Sequence, residues 1–126
     1  DEYSETVGFK IRTNSGSALF IPDIDKWEKW ATDIAELVKT VDYAFLDATF
    51  YDASEIPNRD MSEVPHPFVV ESMQRMHKLS REDRARINFI HFNHSNPLLQ
   101  PKHPSRLGVI EAGFKVAQEG GIYVLQ

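Results

Sequence analysis

Four side chains in this sequence have the chemistry of a hydrolytic site: Asp23, Asp47, His66 and His91. Carboxylates and imidazoles bind divalent metal ions, and as a pair they transfer protons near neutral pH. Asp23, Asp47 and His91 each end a short apolar run. In α/β proteins the reactive groups usually lie at the carboxyl edge of the sheet, so this pattern predicts one shared site there and favours a hydrolase.

The apolar runs before these residues predict neighbouring strands of a sheet. They occupy residues 18–21, 43–46 and 87–90. Ahead of them, the alternation over residues 6–12 and the turn signal at 14–16 predict a β-hairpin. Gly120 and Gly121 predict a turn into a closing strand over residues 122–125.

Helices are predicted between these strands, which gives the chain an α/β fold class. Apolar spacing predicts helices over residues 27–40 and 68–76, with Trp27 and Trp30 packed in the core or covering the sheet. The polar segment 49–65 has no period, so it predicts a surface loop over the site. The predicted N-caps are Asp25, completed by Glu28 as a capping box, Ser80, and Ser105 for a helix that runs to residue 114.

The composition is that of one ordinary globular domain, and it limits the partners of the chain. The 126 residues carry a formal net charge of −5, and acidic character without a basic patch argues against nucleic acid as the main partner. Without cysteine, any zinc must bind to histidine and carboxylate groups. No apolar run is long enough to span a membrane, and residues 1–5 lack the pattern of a signal peptide.

Four short segments, taken in order, resemble a known family. They are the run at 19–23, the segment Leu46-Asp47-Ala48-Thr49-Phe50, His66, and the segment Phe89-Ile90-His91-Phe92, with their functional residues 24, 19 and 25 positions apart. Together they resemble the second half of a metallo-β-lactamase-fold hydrolase. The run at 47–50 is similar to the tRNase Z branch, whereas residues 91–97 and 112–117 are similar to the pyrroloquinoline quinone biosynthesis protein B branch.

This resemblance implies half of a four-layer αββα sandwich whose metal site lies between two sheets. The family usually binds two zinc ions, although other divalent metals also fit, and a metal-activated water attacks an ester, an amide or a phosphodiester. Asp23 and His91 occupy metal-ligand positions, and His94 is a third candidate ligand. Asp47 and His66 occupy the positions of a carboxylate and a histidine that together deliver a proton to the leaving group.

Part of the family pattern is absent from this sequence. The motif His-x-His-x-Asp-His supplies most ligands of the first metal, yet the earliest histidine here is His66. We therefore expect residues 1–126 to form a partial domain, with the missing N-terminal half as its partner and a small polar substrate reached under the loop 49–65. The tRNase Z branch has Glu in place of Asp47, and the family has a small polar residue in place of Pro67. The pyrroloquinoline quinone biosynthesis protein B branch tends to have Asn in place of His94.

Two other classes of function are compatible with these residues. One is a non-catalytic module that binds a small molecule or a protein in the same cleft, with an incomplete metal site. The other is a structural subunit that forms a homo-oligomer through an exposed sheet face. Asp23 at a strand end and His91 after an apolar strand also have structural interpretations, as a cap and as a hydrogen-bonded core residue. His77 and His103 are interpreted as structural or exposed.

Overall fold

A five-stranded sheet forms the centre of the protein, in a computed structural model that describes residues 8–30, 32–118 and 120–125. The strands lie side by side in sequence order, with β1 antiparallel to β2 and the remaining neighbours parallel. Parallel neighbours require crossover connections, so helical segments alternate with these strands and the predicted α/β class is confirmed. The strands are β1 Phe9–Arg12, β2 Ser17–Ile21, β3 Tyr43–Asp47, β4 Ile87–Ile90 and β5 Lys115–Val116.

The predicted β-hairpin is confirmed, because β1 and β2 pair along all four residues of β1. Thr13 closes its turn by donating its backbone N–H to the Gly16 carbonyl at 2.8 Å. The Thr13 hydroxyl accepts the Gly16 N–H at 3.0 Å. Residues 6 and 7 of the predicted first strand lie outside the described residues.

Short helices and turns connect the described strands. The α-helices are α1 Ile34–Val38, α2 Val69–Arg75, α3 Arg81–Arg84 and α4 Pro104–Glu111. The predicted loop at 49–65 contains single 3-10 turns at Ala53–Glu55 and Met61–Glu63 and no longer element. Asp52 and Asp60 each accept a backbone N–H at the start of these turns. The loop is therefore ordered by its own polar side chains, because it has little apolar surface to bury.

The prediction of one continuous helix over residues 27–40 is wrong. The chain forms a 3-10 turn at Trp27–Lys29 and is extended at Trp30, with φ −96° and ψ 134°. α1 begins only after Asp33, whose carboxylate accepts a backbone N–H of the first turn at 2.9 Å. A short polar side chain that binds nearby backbone competes with helix continuation, so Asp33 and not Asp25 is the N-cap of α1.

The N-caps of the later helices agree only in part with the predictions. Ser80 caps α3, because its hydroxyl accepts a backbone N–H at 3.1 Å. The prediction of Ser105 as the cap of α4 is wrong, since His103 Nδ1 accepts the Ser105 N–H at 3.1 Å. α4 also ends before residue 114, because Gly113 has a φ of 101° that a right-handed helix cannot contain.

The helices cover one apolar face of the sheet. Val38, Val69 and Val109, from α1, α2 and α4, belong to the same buried cluster as the strand residues of this face. Burial of each large apolar side chain contributes about 1.5–3 kcal/mol, so this layer fixes the strands that carry the site. The strand register places these buried side chains in two rows, Leu19, Ala44 and Ile87 in one and Ile21, Leu46, Phe89 and Val116 in the other.

The prediction of a closing strand over residues 122–125 is wrong, since the last described strand is β5 and residues 121–125 have no strand pairing. Tyr123 instead places its ring edge-on against Tyr43 at 5.4 Å and Phe45 at 4.8 Å between ring centroids. An apolar segment can therefore pack across the face of a sheet without pairing as an additional strand. The contacts of Tyr123 have the T-shaped ring geometry that aromatic pairs favour.

The sheet face opposite the helices exposes large apolar side chains. Phe9 pairs with Phe20 and Ile11 pairs with Ala18, so all four side chains point to this open face. Phe9, Ile11 and Phe20 are 58%, 54% and 40% exposed. A contiguous apolar patch of this kind typically packs against another surface. Within the described ranges no helix is long and apolar enough to cross a membrane.

Candidate metal and acid–base site

The carboxyl ends of β2, β3 and β4 meet at one edge of the sheet because these strands are parallel. Asp47 is the last residue of β3, Asp23 lies two residues after β2, and His91 directly follows β4. His66 reaches the same edge from the end of the loop that precedes α2. The structure therefore brings all four of these residues to one region.

Asp47 is fully buried, and hydrogen bonds occupy both of its carboxylate oxygens. Oδ2 accepts the Ile24 N–H at 3.0 Å and the His66 Nδ1–H at 2.7 Å. Oδ1 accepts the Thr49 N–H at 2.9 Å and the Thr49 hydroxyl at 2.7 Å. These bonds use the acceptor positions of a carboxylate, so Asp47 is suited to orient His66.

His66 lies between the buried Asp47 and the exposed Asp23. Its Nδ1 is 2.7 Å from Asp47 Oδ2 and 3.6 Å from Asp23 Oδ1. The hydrogen bond to Asp47 raises the pKa of His66, burial opposes this rise, and the negative charges of Asp47, Asp23 and Asp25 add to it. Because Nδ1 is held by the carboxylate, Nε2 is the nitrogen that can act on a substrate or a metal.

Asp23 is the accessible carboxylate of the site, with 69% of its side chain exposed. One ligand atom from each of Asp23, Asp47 and His66 lies within 4.8 Å of the others, a spacing that could hold a metal ion. An ion placed between Asp47 and His66 would have to replace their 2.7 Å hydrogen bond. The geometry therefore leaves Asp23 as the carboxylate that can bind a metal without disturbing the Asp47–His66 pair.

His91 has a left-handed backbone conformation, with a φ of 67°. This conformation is uncommon for residues other than glycine, and residues held in it cluster at functional sites. Its Nδ1 lies 3.0 Å from the Thr49 hydroxyl, and its ring centroid is 6.4 Å from that of His66. The exposed imidazole thus has its second nitrogen, Nε2, available as a ligand.

Thr49 connects the members of the site, and its role was missed by the sequence reasoning. Its hydroxyl contacts Asp47 at 2.7 Å, His91 at 3.0 Å and His66 at 3.4 Å. A threonine two residues after a strand-ending aspartate is the available sequence signal, because such pairs commonly form local hydrogen bonds.

His94 is not joined to the rest of the site. It is exposed in the turn after β4, and it makes no hydrogen bond or ion pair with the other candidate residues among the contacts of the described chain. Of the candidate ligands, Asp23 and His91 therefore lie with the Asp47–His66 pair, and His94 lies apart from it.

Two buried links fix the loop of Asp23 against the helix that follows His66. Lys26, only 3% exposed, forms an ion pair of 2.7 Å with Glu71 of α2 and lies 4.5 Å above the Phe68 ring. Next to it, Trp27 donates its Nε1–H to the Ser72 hydroxyl at 2.7 Å. The predicted core position of Trp27 is thereby confirmed, whereas the buried lysine has no signal in the hydrophobic pattern.

The loop over the site is tied to the segment after β4. Glu55 accepts the Ser95 hydroxyl at 2.8 Å, and the Asn93 N–H donates to the Thr49 carbonyl at 2.9 Å. Asn96, which is buried, donates its side-chain amide to the Ala48 carbonyl at 2.7 Å. These bonds hold the two loops that flank Asp47 and His91 in one arrangement.

The structure has the metallo-β-lactamase fold, and it matches the C-terminal part of a protein with that fold. The structure matches the zinc-bound crystal structure of PqqB from Methylobacterium extorquens with a TM-score of 0.72 and 19% sequence identity, over 90% of this chain and 41% of that chain. In sequence, the chain is 30% identical over 128 residues to the coenzyme PQQ synthesis protein B of Gluconobacter oxydans (strain 621H). No protein-family model matches the chain.

The sequence match covers 92% of this chain and 39% of the Gluconobacter protein, so the chain spans about two fifths of the length of that relative. The predicted similarity to the pyrroloquinoline quinone biosynthesis protein B branch and the predicted fold are confirmed. Similarity to the tRNase Z branch stays a prediction. The partial coverage is consistent with a missing N-terminal part.

Proposed function

We propose that this chain supplies the C-terminal half of a metal-dependent hydrolase that cleaves an ester, an amide or a phosphodiester with a metal-activated water. The observation that supports this proposal most strongly is the buried Asp47–His66 pair, 2.7 Å long, beside the accessible Asp23 and His91. A carboxylate that orients an imidazole next to exposed oxygen and nitrogen ligands is a typical arrangement for metal-assisted proton transfer.

The donor set fits zinc, because carboxylate oxygen and imidazole nitrogen are among its preferred ligands. The proposed ligands are Asp23 and His91, with His94 as a third candidate if its turn moves towards them. We propose that two zinc ions bind in the complete protein and that the N-terminal half supplies the other ligands; the zinc in the related PqqB structure supports the metal type. When bound, zinc would lower the pKa of a water molecule and polarise the bond that is cleaved.

In this proposal His66 is the general acid. Its Nδ1–H stays on Asp47, and its Nε2–H donates a proton to the departing oxygen or nitrogen atom. The raised pKa of His66 supports this role, because more of the imidazole is then protonated near neutral pH. Asp47 holds the ring in position, and the loop 49–65 covers a small polar substrate.

The missing N-terminal half would pack on the open face formed by Phe9, Ile11 and Phe20. This contact would complete the αββα sandwich and bring the second set of metal ligands to the edge that carries Asp23. The exposed apolar face and the incomplete set of metal ligands would then both result from the absence of the N-terminal half.

A leaving-group series tests the acid role. The complete protein, with its N-terminal half, is loaded with zinc, and hydrolysis of p-nitrophenyl and phenyl esters and phosphodiesters is measured for the wild type and for His66→Asn. We expect zinc-dependent hydrolysis in both, with a larger rate loss in the variant for the poorer phenolate leaving group, which needs the proton more. An equal loss for both leaving groups would exclude His66 as the acid, and no hydrolysis in any zinc-loaded sample would contradict the hydrolase.

A binding module with an incomplete metal site is the second candidate, and the hydrogen bonds of Asp47 favour it. These bonds occupy a carboxylate that could otherwise bind metal, and within the described chain only Asp23, Asp47 and His66 form a cluster with metal-ligand spacing. This candidate predicts ligand binding without zinc and without turnover. A structural subunit that forms a homo-oligomer through the open face predicts a stable assembly of identical chains.

A further inference from the structure

A cavity lies beside His91, between the carboxyl ends of β4 and β5 and the start of α4. Its volume is about 540 Å³, and His91 is part of its lining. Most of the remaining wall is apolar, with Phe92, Leu98 and Leu99 among the lining residues, whereas Arg106 is its one cationic residue. No acidic residue is among the described residues that line this cavity.

Arg106 lines the cavity, and one hydrogen bond restrains its guanidinium group. Its Nη1–H donates to the Leu98 carbonyl at 2.7 Å. Within the described chain its other N–H groups have no protein acceptor, and no buried side-chain nitrogen or oxygen lacks a partner. These N–H groups are therefore accessible to solvent, and the bond to Leu98 already restricts the side chain, so that a ligand would have less of its motion to remove.

We propose that this cavity binds an apolar part of the substrate that carries a carboxylate, and that Arg106 pairs with this carboxylate. This inference rests on the proposed hydrolase function in one respect, because it takes the ligand of the cavity to be part of the substrate. A guanidinium group matches the two oxygens of a carboxylate with parallel N–H donors. Because His91 lines the same cavity, a ligand held by Arg106 extends towards the metal site.

The charge of the surroundings selects a carboxylate over a phosphate ester. A single cation balances a singly charged carboxylate, whereas a phosphate ester carries more charge and is usually bound by several cations or by a basic patch. The chain has a formal net charge of −5, which disfavours a more highly charged anion further. The apolar wall suits the hydrocarbon part of the same ligand.

Binding of two matched probes tests this proposal. The purified protein is treated with EDTA, so that no carboxylate can bind through a metal, and titrated with 3-phenylpropanoate and with its neutral amide, 3-phenylpropanamide. A charge-assisted pair adds roughly 1.4 kcal/mol or more, which corresponds to roughly tenfold tighter binding of the carboxylate. NMR shifts of Leu98 and Val116 amides report whether the probe lies in the cavity.

Variants of Arg106 then assign the preference. Arg106→Gln should remove the preference for the carboxylate, and Arg106→Lys should retain part of it, because lysine keeps the charge but loses the paired donors. Arg81→Gln on α3 makes the same change in net charge away from the cavity and should leave the preference unchanged. A preference that persists in Arg106→Gln would overturn the assignment.

The wild-type protein alone can overturn the proposal, whether or not a variant folds. Equal affinities for the two probes, no shift at Leu98 or Val116, or displacement of the carboxylate by inorganic phosphate at equal concentration would each contradict it. The measurement contains no metal, so its failure is distinct from a failure of zinc binding at Asp23 and His91.

Discussion

At the scale of single residues, the backbone of His91 is the clearest departure from ordinary geometry. Its φ of 67° is accessible to glycine without strain, whereas alanine is strained there. We predict that His91→Gly is more stable than His91→Ala by about 0.5–1 kcal/mol, although both lose the imidazole. Urea denaturation of the two EDTA-treated variants measures this difference, and an alanine variant as stable as the glycine variant would contradict it.

The Asp47–His66 pair should make the stability of the metal-free protein depend on pH. Because the hydrogen bond to Asp47 raises the pKa of folded His66 above its ordinary value of 6.5, the charged pair stabilises the fold fully below that value. This stabilisation is lost as the pH rises through the raised pKa of the folded state. The free-energy difference between wild type and His66→Asn should therefore shrink from acidic to alkaline pH.

Unfolding free energies in EDTA, measured at several pH values, test this trend. His77→Asn is the control, since His77 is exposed and, among the described residues, its side chain forms a hydrogen bond only with the backbone carbonyl of Gln74 near the end of α2. A difference between wild type and His66→Asn that stays constant or grows with pH would contradict the assigned pair.

The residues of the site could be predicted better than the bonds between them. The aspartate at the end of β3 and the histidine after β4 follow from strand patterns, which a sequence shows directly. The Thr49 hydroxyl reaches its partners only because of the loop path after β3. The left-handed conformation of His91 likewise depends on long-range packing, which no local pattern encodes.

At the scale of elements, the Lys26–Glu71 ion pair joins the segment after β2 to α2. Lys26 is almost fully buried and Glu71 is 34% exposed, so solvent screens only one partner. Lys26→Met should cost about 1–2 kcal/mol, less than a fully buried pair, because Glu71 loses its partner. Lys29→Met is the control, since that lysine is 62% exposed in a surface pair with Asp25.

Urea denaturation of the two methionine variants compares them directly. Lys26→Met should also weaken zinc binding, because Asp23 lies three residues from the lost anchor. Equal stability and equal zinc affinity in both variants would show that the buried pair does not position the site.

The strands β2, β3 and β4 could be predicted because their apolar runs are continuous and bounded by turn residues, whereas the two-residue strand β5 is too short to give such a run. The helices were harder to predict, because a helical spacing of apolar residues also fits a 3-10 turn followed by a short helix. Within residues 27–40, the Asp33 side chain accepts a backbone N–H of the turn that follows it. The helix α1 therefore begins after Asp33 and is not continuous with residues 27–29. The final apolar run fails as a strand because Tyr123 finds its contacts across the sheet, a tertiary effect.

At the scale of the whole molecule, the question is whether the open sheet face packs against the N-terminal half or is exposed to solvent. If the N-terminal half covers this face, Phe20→Asp places a charge in a buried interface and should destabilise the complete protein by about 2–4 kcal/mol. Leu107→Asp on the outer side of α4, 53% exposed, is the matched control. Thermal unfolding with calorimetry measures both variants, and a similarly small effect of each would mean that the face is open to solvent.

The metal site is tested most directly by the zinc content of the complete protein, with its N-terminal half, in native mass spectrometry. We predict two zinc ions in the wild type, with loss of zinc in Asp23→Asn and in His91→Asn. The controls Asp25→Asn and His77→Asn should keep it, because neither side chain belongs to the proposed ligand set. Zinc retained in both ligand variants, or a wild-type protein that binds no zinc when zinc is supplied, would contradict a metal site built on Asp23 and His91.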